Sequence, residues 1–242
     1  MVSKNQIKLI TSLQQKKFRQ IHQLFIAEGV KVIEELLNSN FELDHLYQTE
    51  FIFKNVKDTN KELISETDLK KISALTTANN CLALFKIPVG KELFYSDLTV
   101  VLDDIRDPGN LGTIIRLCDW FGIKQMVCSS QTVDIYNPKV VQATMGSISR
   151  VSIFYQDLEH FFSKNKLPVY GTFMDGENVY KEQLIENSIL IIGNEANGIS
   201  SNIEKYVTNR IGIPRFGSIQ ATESLNAASA TAIFLSEFKR KS

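Results

Sequence analysis

The stretch LTVVLDDIRDPGNLGTIIRLCDWFGIKQMVC, residues 98–128, decides the fold class. It begins with an apolar strand from Leu98 to Leu102, and a Pro-Gly turn follows. Asn110 is a good N-cap and predicts a helix from Leu111 to Phe121, and a second apolar strand then runs from Gln125 to Cys128. Strand, helix and strand in this order predict a βαβ unit, whose two strands run parallel.

The same alternation continues toward the C-terminus. Apolar strands that alternate with helices are typical of a parallel sheet covered on both faces. We therefore predict an α/β domain over residues 91–242, in which a ligand binds at the carboxyl ends of the strands. Its further predicted strands are 151–154, 169–173, 188–192 and 208–213, and its further predicted helices are 138–145, 158–162 and 223–238.

Residues 1–90 mix helical and extended patterns and predict a separate, smaller α/β domain. The segment from Pro88 to Lys91 is the predicted linker, because it contains the first proline of the chain and precedes a new strand. The predicted strands of this domain are 25–29, 45–47, 51–53 and 81–85, and its predicted helices are 5–13, 29–37 and 66–74.

The bulk charge gives no argument for a nucleic-acid partner, because 27 Lys and Arg residues balance 27 Asp and Glu residues. The N-terminal stretch is different, since it carries no acidic residue before Glu28. Such a run is typical either of a solvated helix face or of an arm that faces RNA. Its basic residues are Lys4, Lys8, Lys16, Lys17 and Arg19.

The cysteines predict a reducing compartment. Cys81, Cys118 and Cys128 are an odd number without C-x-x-C spacing, and all three lie in apolar surroundings, which is typical of buried free thiols. Neither they nor the three histidines form a metal-ligand pattern. No apolar run approaches about 18 residues and no apolar leader begins the chain, so we expect a cytoplasmic protein without a membrane span.

Glycines and polar residues collect after three of the predicted strands. The first group is Asn110-x-Gly112-x-x-x-Arg116, in which Gly112 permits a close approach of a ligand or of another backbone. The second group, Gly193-Asn194-Glu195-Ala196-Asn197-Gly198, is a loop whose glycines let main-chain groups contact a ligand. The third joins Ile213-Pro214, at a strand end, to Ser224-Leu225-Asn226, before the last helix.

Each group alone also has an ordinary structural explanation. The first can be a βα turn with an exposed arginine, the second a plain loop, and the third a capped helix. None of them matches Gly-x-Gly-x-x-Gly or a phosphate-binding loop, which disfavours a Rossmann dinucleotide site, an NTPase and an unrelated phosphate-using α/β enzyme.

Together the three groups resemble the motifs of the SpoU/TrmH family of RNA methyltransferases, within the SPOUT superfamily, from Leu98 to Phe238. The segment with Lys17-Phe18-Arg19 and residues 25–29 is similar to the ribosomal-protein-like substrate-binding domain that is often fused in front. Two departures concern the third motif. Arg215-Phe216 stands where the family commonly has Met after Ile-Pro, and Gln220-Ala221-Thr222 is extra material.

The resemblance implies an α/β SPOUT domain with a parallel sheet and a trefoil knot, a homodimer, and S-adenosylmethionine as the cofactor. It implies methylation of a ribose 2'-hydroxyl in structured RNA, large-subunit rRNA more than tRNA, with no DNA partner and no metal. The residues implied as catalytic are Asn110, Arg116, Glu195, Ser224 and Asn226. Those implied to bind the cofactor are Thr172, Gly193, Ile213 and Leu225, and those implied to bind RNA are Lys16, Lys17, Arg19 and Arg116.

Two questions stay open at this point. Arg116 either activates the hydroxyl as a base or stabilises developing negative charge and clamps a phosphate, and arginine is a poor base. The alternative to an enzyme is a catalytically silent RNA-binding or assembly factor on the same fold, although all the matched motif residues are present.

Overall fold

The computed structural model describes residues 2–90, 93, 97–219 and 224–240. The described strands are β1 (Leu24–Glu28), β2 (Leu43–Gln48), β3 (Lys61–Leu63), β4 (Cys81–Lys86), β5 (Thr99–Leu102), β6 (Gln125–Ser129), β7 (Ser152–Gln156), β8 (Val169–Asn178), β9 (Ile189–Ile192) and β10 (Asn209–Gly212). The described α-helices are α1 (Lys4–Ser12), α2 (Lys16–His22), α3 (Val30–Leu37), α4 (Glu66–Ile72), α5 (Pro108–Trp120), α6 (Pro138–Thr144), α7 (Leu158–Ser163), α8 (Ser201–Glu204) and α9 (Ala227–Lys239).

The chain forms two compact units, and one of them is discontinuous in sequence. Unit 1 comprises Met1–Lys91 together with Asp134–Ser149, and unit 2 comprises Glu92–Val133 together with Arg150–Ser242. The predicted division into consecutive domains, 1–90 and 91–242, places α6 in the second domain, whereas the structure assigns α6 to unit 1.

Unit 1 is built on a mixed four-stranded sheet in the order β1-β4-β2-β3. Strand β4 runs antiparallel to both its neighbours, whereas β2 and β3 are parallel. Helix α3 buries its apolar stripe of Val32, Ile33 and Leu36, as the spacing of these residues predicts. The Asp134–Ser149 segment adds buried Val140 and Val141, so part of this core comes from the middle of the chain.

A buried carboxylate lies at the end of β1. Glu28 is 4% exposed and accepts hydrogen bonds from Ser73 Oγ at 2.5 Å and from the Ala74 amide at 2.7 Å. Burial raises the pKa of Glu28 above its ordinary value, and the two hydrogen bonds oppose that shift only in part.

The strand predicted at residues 51–53 is wrong. This segment is a loop, because the amides of Ile52 and Phe53 both donate to the side-chain oxygen of buried Gln48, each at 3.2 Å. A side chain thus takes the place of a neighbouring strand as the partner of these amides. Aromatic and β-branched residues suggested a strand, yet Phe51 is 67% exposed.

Unit 2 confirms the predicted parallel sheet. Its strands run in the order β10-β8-β9-β5-β6-β7, and every pairing is parallel. The central strands β5 and β9 are buried along their whole length, which is typical of a sheet covered on both faces.

Two helices begin more than one residue away from their predicted start. Helix α5 begins at Pro108, and its N-cap is Asp107, whose side chain accepts from the Asn110 amide at 2.7 Å. Proline suits the first helical position because its φ is already helical and it has no N–H to lose. Helix α9 begins at Ala227 rather than at residue 223. The predicted extra residues 220–222, residue 223 and Lys91 of the linker lie outside the described residues.

Within the described ranges, no helix is long and apolar enough to cross a membrane. The same ranges hold no cluster of three or more His, Cys, Asp or Glu side chains that could bind a metal ion.

Candidate active site

The parallel register of unit 2 brings the first two motif groups together. Leu102 on β5 pairs with Ile192 on β9, so the loops that follow these strands begin side by side. The Asp103 amide donates to the Ile192 carbonyl at 3.0 Å, and the Asn194 side-chain amide donates to the Asp104 carbonyl at 2.7 Å. Carboxyl ends of parallel strands are where such sheets place their ligand sites.

A chain of three side chains then links all three motif groups. Asn226 Nδ2 donates to Asn110 Oδ1 at 2.8 Å, and Asn110 Nδ2 donates to Glu195 Oε1 at 2.6 Å. The same Asn226 caps α9 by accepting from the amides of Ala228 and Ser229 at 3.0 and 3.1 Å. Residues that are 85 and 116 positions apart in sequence therefore form one hydrogen-bonded relay.

The direction of this relay is fixed at both ends. Backbone amides can only donate, so Asn226 must present its oxygen to α9 and its nitrogen to Asn110. An ionised carboxylate can only accept, so Asn110 must turn its nitrogen toward Glu195. Because Asp107 caps α5, the side chain of Asn110 is available for this role. The expected N-cap role of Asn110 is thus corrected, and its side chain instead joins two motifs.

The Gly193–Gly198 loop is tightly closed by its own hydrogen bonds. Asn194 and Gly198 exchange backbone hydrogen bonds at 3.0 and 2.9 Å, and Asn194 Oδ1 accepts from the amides of Ala196 and Asn197. A Cβ on Gly193 would lie only 2.3 Å from the Gly198 carbonyl carbon, so only glycine fits there. Gly198 has φ +68°, with open space around it. These hydrogen bonds on both sides of Glu195 define the backbone position from which its side chain extends.

The other predicted cofactor contacts lie within β8, directly after β10 and just before α9. Ile213 is half-buried after β10, and Leu225 is 50% exposed just before α9. Ser224 beside it is exposed. The Thr172 hydroxyl on β8 donates to the Ile191 carbonyl at 3.0 Å, so its proton is committed to the neighbouring strand.

Arg116 lies on the exposed side of α5. It follows Asn110 by six residues, a rise of about 9 Å along the helix. Within the described residues it forms no hydrogen bond or ion pair, so its guanidinium is available to a ligand.

Lys16 and Lys17 are exposed on α2 in unit 1. Arg19 is a correction: it is 2% exposed, and its guanidinium is bound to Asp134 and to the carbonyls of Leu13 and Gln14. It cannot contact RNA directly. No local pattern predicts this burial, because Asp134 is 115 positions away.

Two residues with structural importance were not predicted. Asp103, 5% exposed, accepts from both the amide and the hydroxyl of Ser200, at 2.8 and 2.6 Å, and so ties the β5 end to α8. Asn194 organises its loop as described above. An acid directly after an apolar strand, and an Asn that begins a glycine-containing loop, are the signals that could have revealed them.

The cysteines do not supply a nucleophile. Burial raises the pKa of the Cys118 and Cys128 thiols, and that of Cys81 to about 12, so the thiolate form is disfavoured at neutral pH.

Both units of the chain match known protein families. The model of the SpoU rRNA methylase family matches residues 97–236, and that of the MRM3-like substrate binding domain matches residues 4–83. The 23S rRNA (guanosine(2553)-2'-O)-methyltransferase RlmP of Bacillus subtilis is 29% identical over 241 residues, which cover 96% of each chain.

Two solved structures are similar over the whole chain. One, described as an RNA methyltransferase of the TrmH family from Porphyromonas gingivalis, has a TM-score of 0.89 at 38% identity and covers 100% of both chains. The other, an AdoMet-bound rRNA methyltransferase from Sinorhizobium meliloti, has a TM-score of 0.88 at 26% identity and covers 100% of this chain and 97% of that one. Because the SpoU rRNA methylase model matches more than half of the residues of this chain, the chain belongs to the SpoU rRNA methylase family.

Proposed function

We propose that this protein transfers a methyl group from S-adenosylmethionine to a ribose 2'-hydroxyl in large-subunit ribosomal RNA. The observation that carries the proposal is the relay from Asn226 through Asn110 to Glu195, which joins the three motif groups at the carboxyl ends of parallel strands. The family membership and the RNA substrates named for the relatives support it.

The residues present fit the cofactor. S-adenosylmethionine, when bound, supplies the methyl group on its sulfonium. Ile213 and Leu225 offer partly exposed apolar surface for an adenine ring, and the closed loop at Gly193 offers main-chain groups nearby in the fold. Thr172 keeps the lone pairs of its hydroxyl for a ligand, since its proton is used by Ile191.

Arg116 acts as a clamp in this proposal. An arginine side chain stays protonated in proteins, so it is unsuited to take the proton of the ribose hydroxyl. Its planar fork instead stabilises the negative charge that develops on the 2'-oxygen, or it holds an adjacent phosphate. Its exposure and its lack of a partner among the described residues leave it available for either contact.

Glu195, Asn110, Asn226 and Ser224 order the site. The relay holds the Glu195 carboxylate in one orientation, and the cap on α9 fixes where the chain passes Ser224. We further propose that the protein acts as a homodimer with the trefoil knot typical of its family, so that residues of two subunits complete each site.

RNA recognition is assigned to exposed basic residues of both units. Lys16 and Lys17 on α2 contact the RNA backbone, and Arg116 contacts the target nucleotide. We also propose a cytoplasmic location, which agrees with three buried free cysteines.

The test combines cofactor binding with methyl transfer. Arg116→Ala is expected to bind S-adenosylmethionine by calorimetry as the wild type does, while transfer to an unmodified 23S rRNA transcript falls about 100–1000-fold. Arg150→Ala, which removes another exposed arginine of unit 2, is the matched control and keeps its activity. A wild-type protein that binds no cofactor would favour the silent RNA-binding factor. Full activity of Arg116→Ala would exclude the proposed role of Arg116.

A further inference from the structure

Arg19 is a buried cation in the middle of an exposed basic helix. Its Nε donates to Asp134 Oδ2 at 2.9 Å, and its Nη2 donates to the same oxygen. Its Nη1 donates to the carbonyls of Leu13 and Gln14 at 2.8 and 2.9 Å. The guanidinium thus joins the α1–α2 turn to the discontinuous segment of unit 1, and we call these contacts the Arg19 clamp.

Helix α2 needs such a clamp. It has seven residues, no side chain caps its N-terminus, and it ends at Gln23 with a left-handed φ of 52°. A helix this short is not stable by itself, so its orientation depends on tertiary contacts. The Leu13 and Gln14 carbonyls belong to the turn that sets the direction of α2, and Arg19 holds both.

Four exposed lysines lie along the segment that this clamp holds. Lys16 and Lys17 on α2 and Lys4 and Lys8 on α1 are exposed, and the chain has no acid before Glu28. The Phe18 and His22 rings stack at 6.5 Å on the same helix. Exposed cations on a rigid support, without acids of the same segment, are complementary to a phosphate backbone.

The choice of an ion pair points to orientation rather than to stability. Replacing a buried ion pair by apolar residues is often neutral or stabilising, so the burial of Arg19 does not by itself indicate a gain in stability. What the planar fork adds is a single geometry, because two nitrogens bind one carboxylate oxygen while a third binds two carbonyls.

We propose that Arg19 is a positioning residue for RNA binding: through the Arg19 clamp it holds α2 so that Lys16 and Lys17 meet RNA phosphates together. This inference rests on the proposed function, since it assumes that the protein binds RNA. It also explains why the basic run contains one cation that RNA cannot reach.

The salt dependence of RNA binding tests the clamp, because only phosphate contacts change it. Each phosphate neutralised contributes about 0.7–0.9 to the slope of log K against log salt. Lys16→Ala/Lys17→Ala should therefore lower the slope by about 1.4–1.8 and the affinity at 0.15 M salt by about 20-fold. The clamp variant Arg19→Met/Asp134→Asn should lower the slope by about 1 or more, although both residues are buried or half-buried.

The probe is an unmodified 23S rRNA transcript, measured by filter binding in a KCl series. Asn at position 134 can still accept from the Tyr136 amide, which Asp134 does at 3.2 Å. Combining the clamp and lysine variants should add no further loss of slope. In turnover, the clamp variant should raise KM and keep kcat. Lys70→Ala, which removes an exposed lysine of α4, is the control and keeps the wild-type slope.

The outcomes are distinct. A wild-type slope in the clamp variant, with a lowered slope in the lysine variant, overturns the inference and leaves the proposed function standing. A wild-type protein that binds no RNA overturns the proposed function itself. If the clamp variant is unfolded by circular dichroism, Arg19→Lys, which keeps the charge but lacks the fork, is measured instead, with the same two outcomes.

Discussion

Asn110→Asp is the sharpest perturbation of the candidate site. The substitution changes one nitrogen to oxygen and keeps the shape of the side chain. One carboxylate oxygen can still accept from Asn226, but the other faces Glu195 Oε1 across the 2.6 Å that a hydrogen bond now spans. The relay cannot reverse to relieve this contact, because α9 fixes Asn226 and a carboxylate has no donor.

The magnitude follows from the geometry. Losing a hydrogen bond to a charged acceptor costs about 1.5–3 kcal/mol. Two charges about 3 Å apart repel by roughly 1.4 kcal/mol in water and about 5.5 kcal/mol at an effective dielectric constant of 20, and Glu195 is only half-buried. A negative charge in the first turn of α5 returns about 0.3–1 kcal/mol. With the repulsion taken at its value in water, the net expected loss is about 2–4 kcal/mol of unfolding free energy at pH 7.

Urea unfolding followed by circular dichroism measures this loss. The deficit should shrink as the pH is lowered, because two adjacent carboxylates favour a shared proton in the folded state. Asn202→Asp is the matched control: Asn202 donates to Glu159 at 2.9 Å at an exposed position, and Lys205 is there to compensate. The control should lose at most about 0.5 kcal/mol. Equal midpoints for Asn110→Asp and Asn202→Asp would refute the reasoning.

Three further predictions concern backbone, charge and domain structure. Gly193→Ala should abolish S-adenosylmethionine binding in calorimetry, whereas Gly198→Asn, which tolerates the positive φ, should keep it; equal affinities would contradict the packing argument. Glu28→Gln should gain stability relative to the wild type as the pH rises from about 4.5 to 7. The wild type loses stability over this range, because folding raises the pKa of Glu28 and its carboxyl group loses its proton there. Parallel melting profiles of the two proteins over that range would refute the assignment. A fragment of residues 2–90 lacks the Asp134–Ser149 segment and should show no cooperative melt by circular dichroism, and a melt like that of the full chain would disprove the discontinuous unit.

The parallel sheet was predictable because its signal is local. The runs at Leu98 to Leu102 and at Ile189 to Ile192 are apolar throughout, and such runs between helices indicate buried parallel strands. The start of α5 was missed for a local reason as well. Asn110 and Asp107 are both good N-caps, and Pro108 decides between them by favouring the first helical position.

The remaining features depend on partners that are distant in sequence. Arg19 has the appearance of a surface cation until Asp134 is brought beside it. The aromatic segment at 51–53 has the composition of a strand, and the Gln48 side chain instead binds its amides. The resemblance to family motifs assigned Asn110, Glu195 and Asn226 to one site, and the fold brings these three into contact. Their direct bonding to one another had no sequence signal.

The central claim is that this chain methylates a ribose in large-subunit rRNA. The most direct measurement maps ribose 2'-O-methylation across that rRNA in a strain that lacks the gene. The same map is made for that strain supplied with the wild-type or the Arg116→Ala gene. The account predicts that one modified position disappears, returns with the wild-type gene, and stays absent with the variant. An unchanged methylation map in the deletion strain, or full restoration by Arg116→Ala, would contradict it.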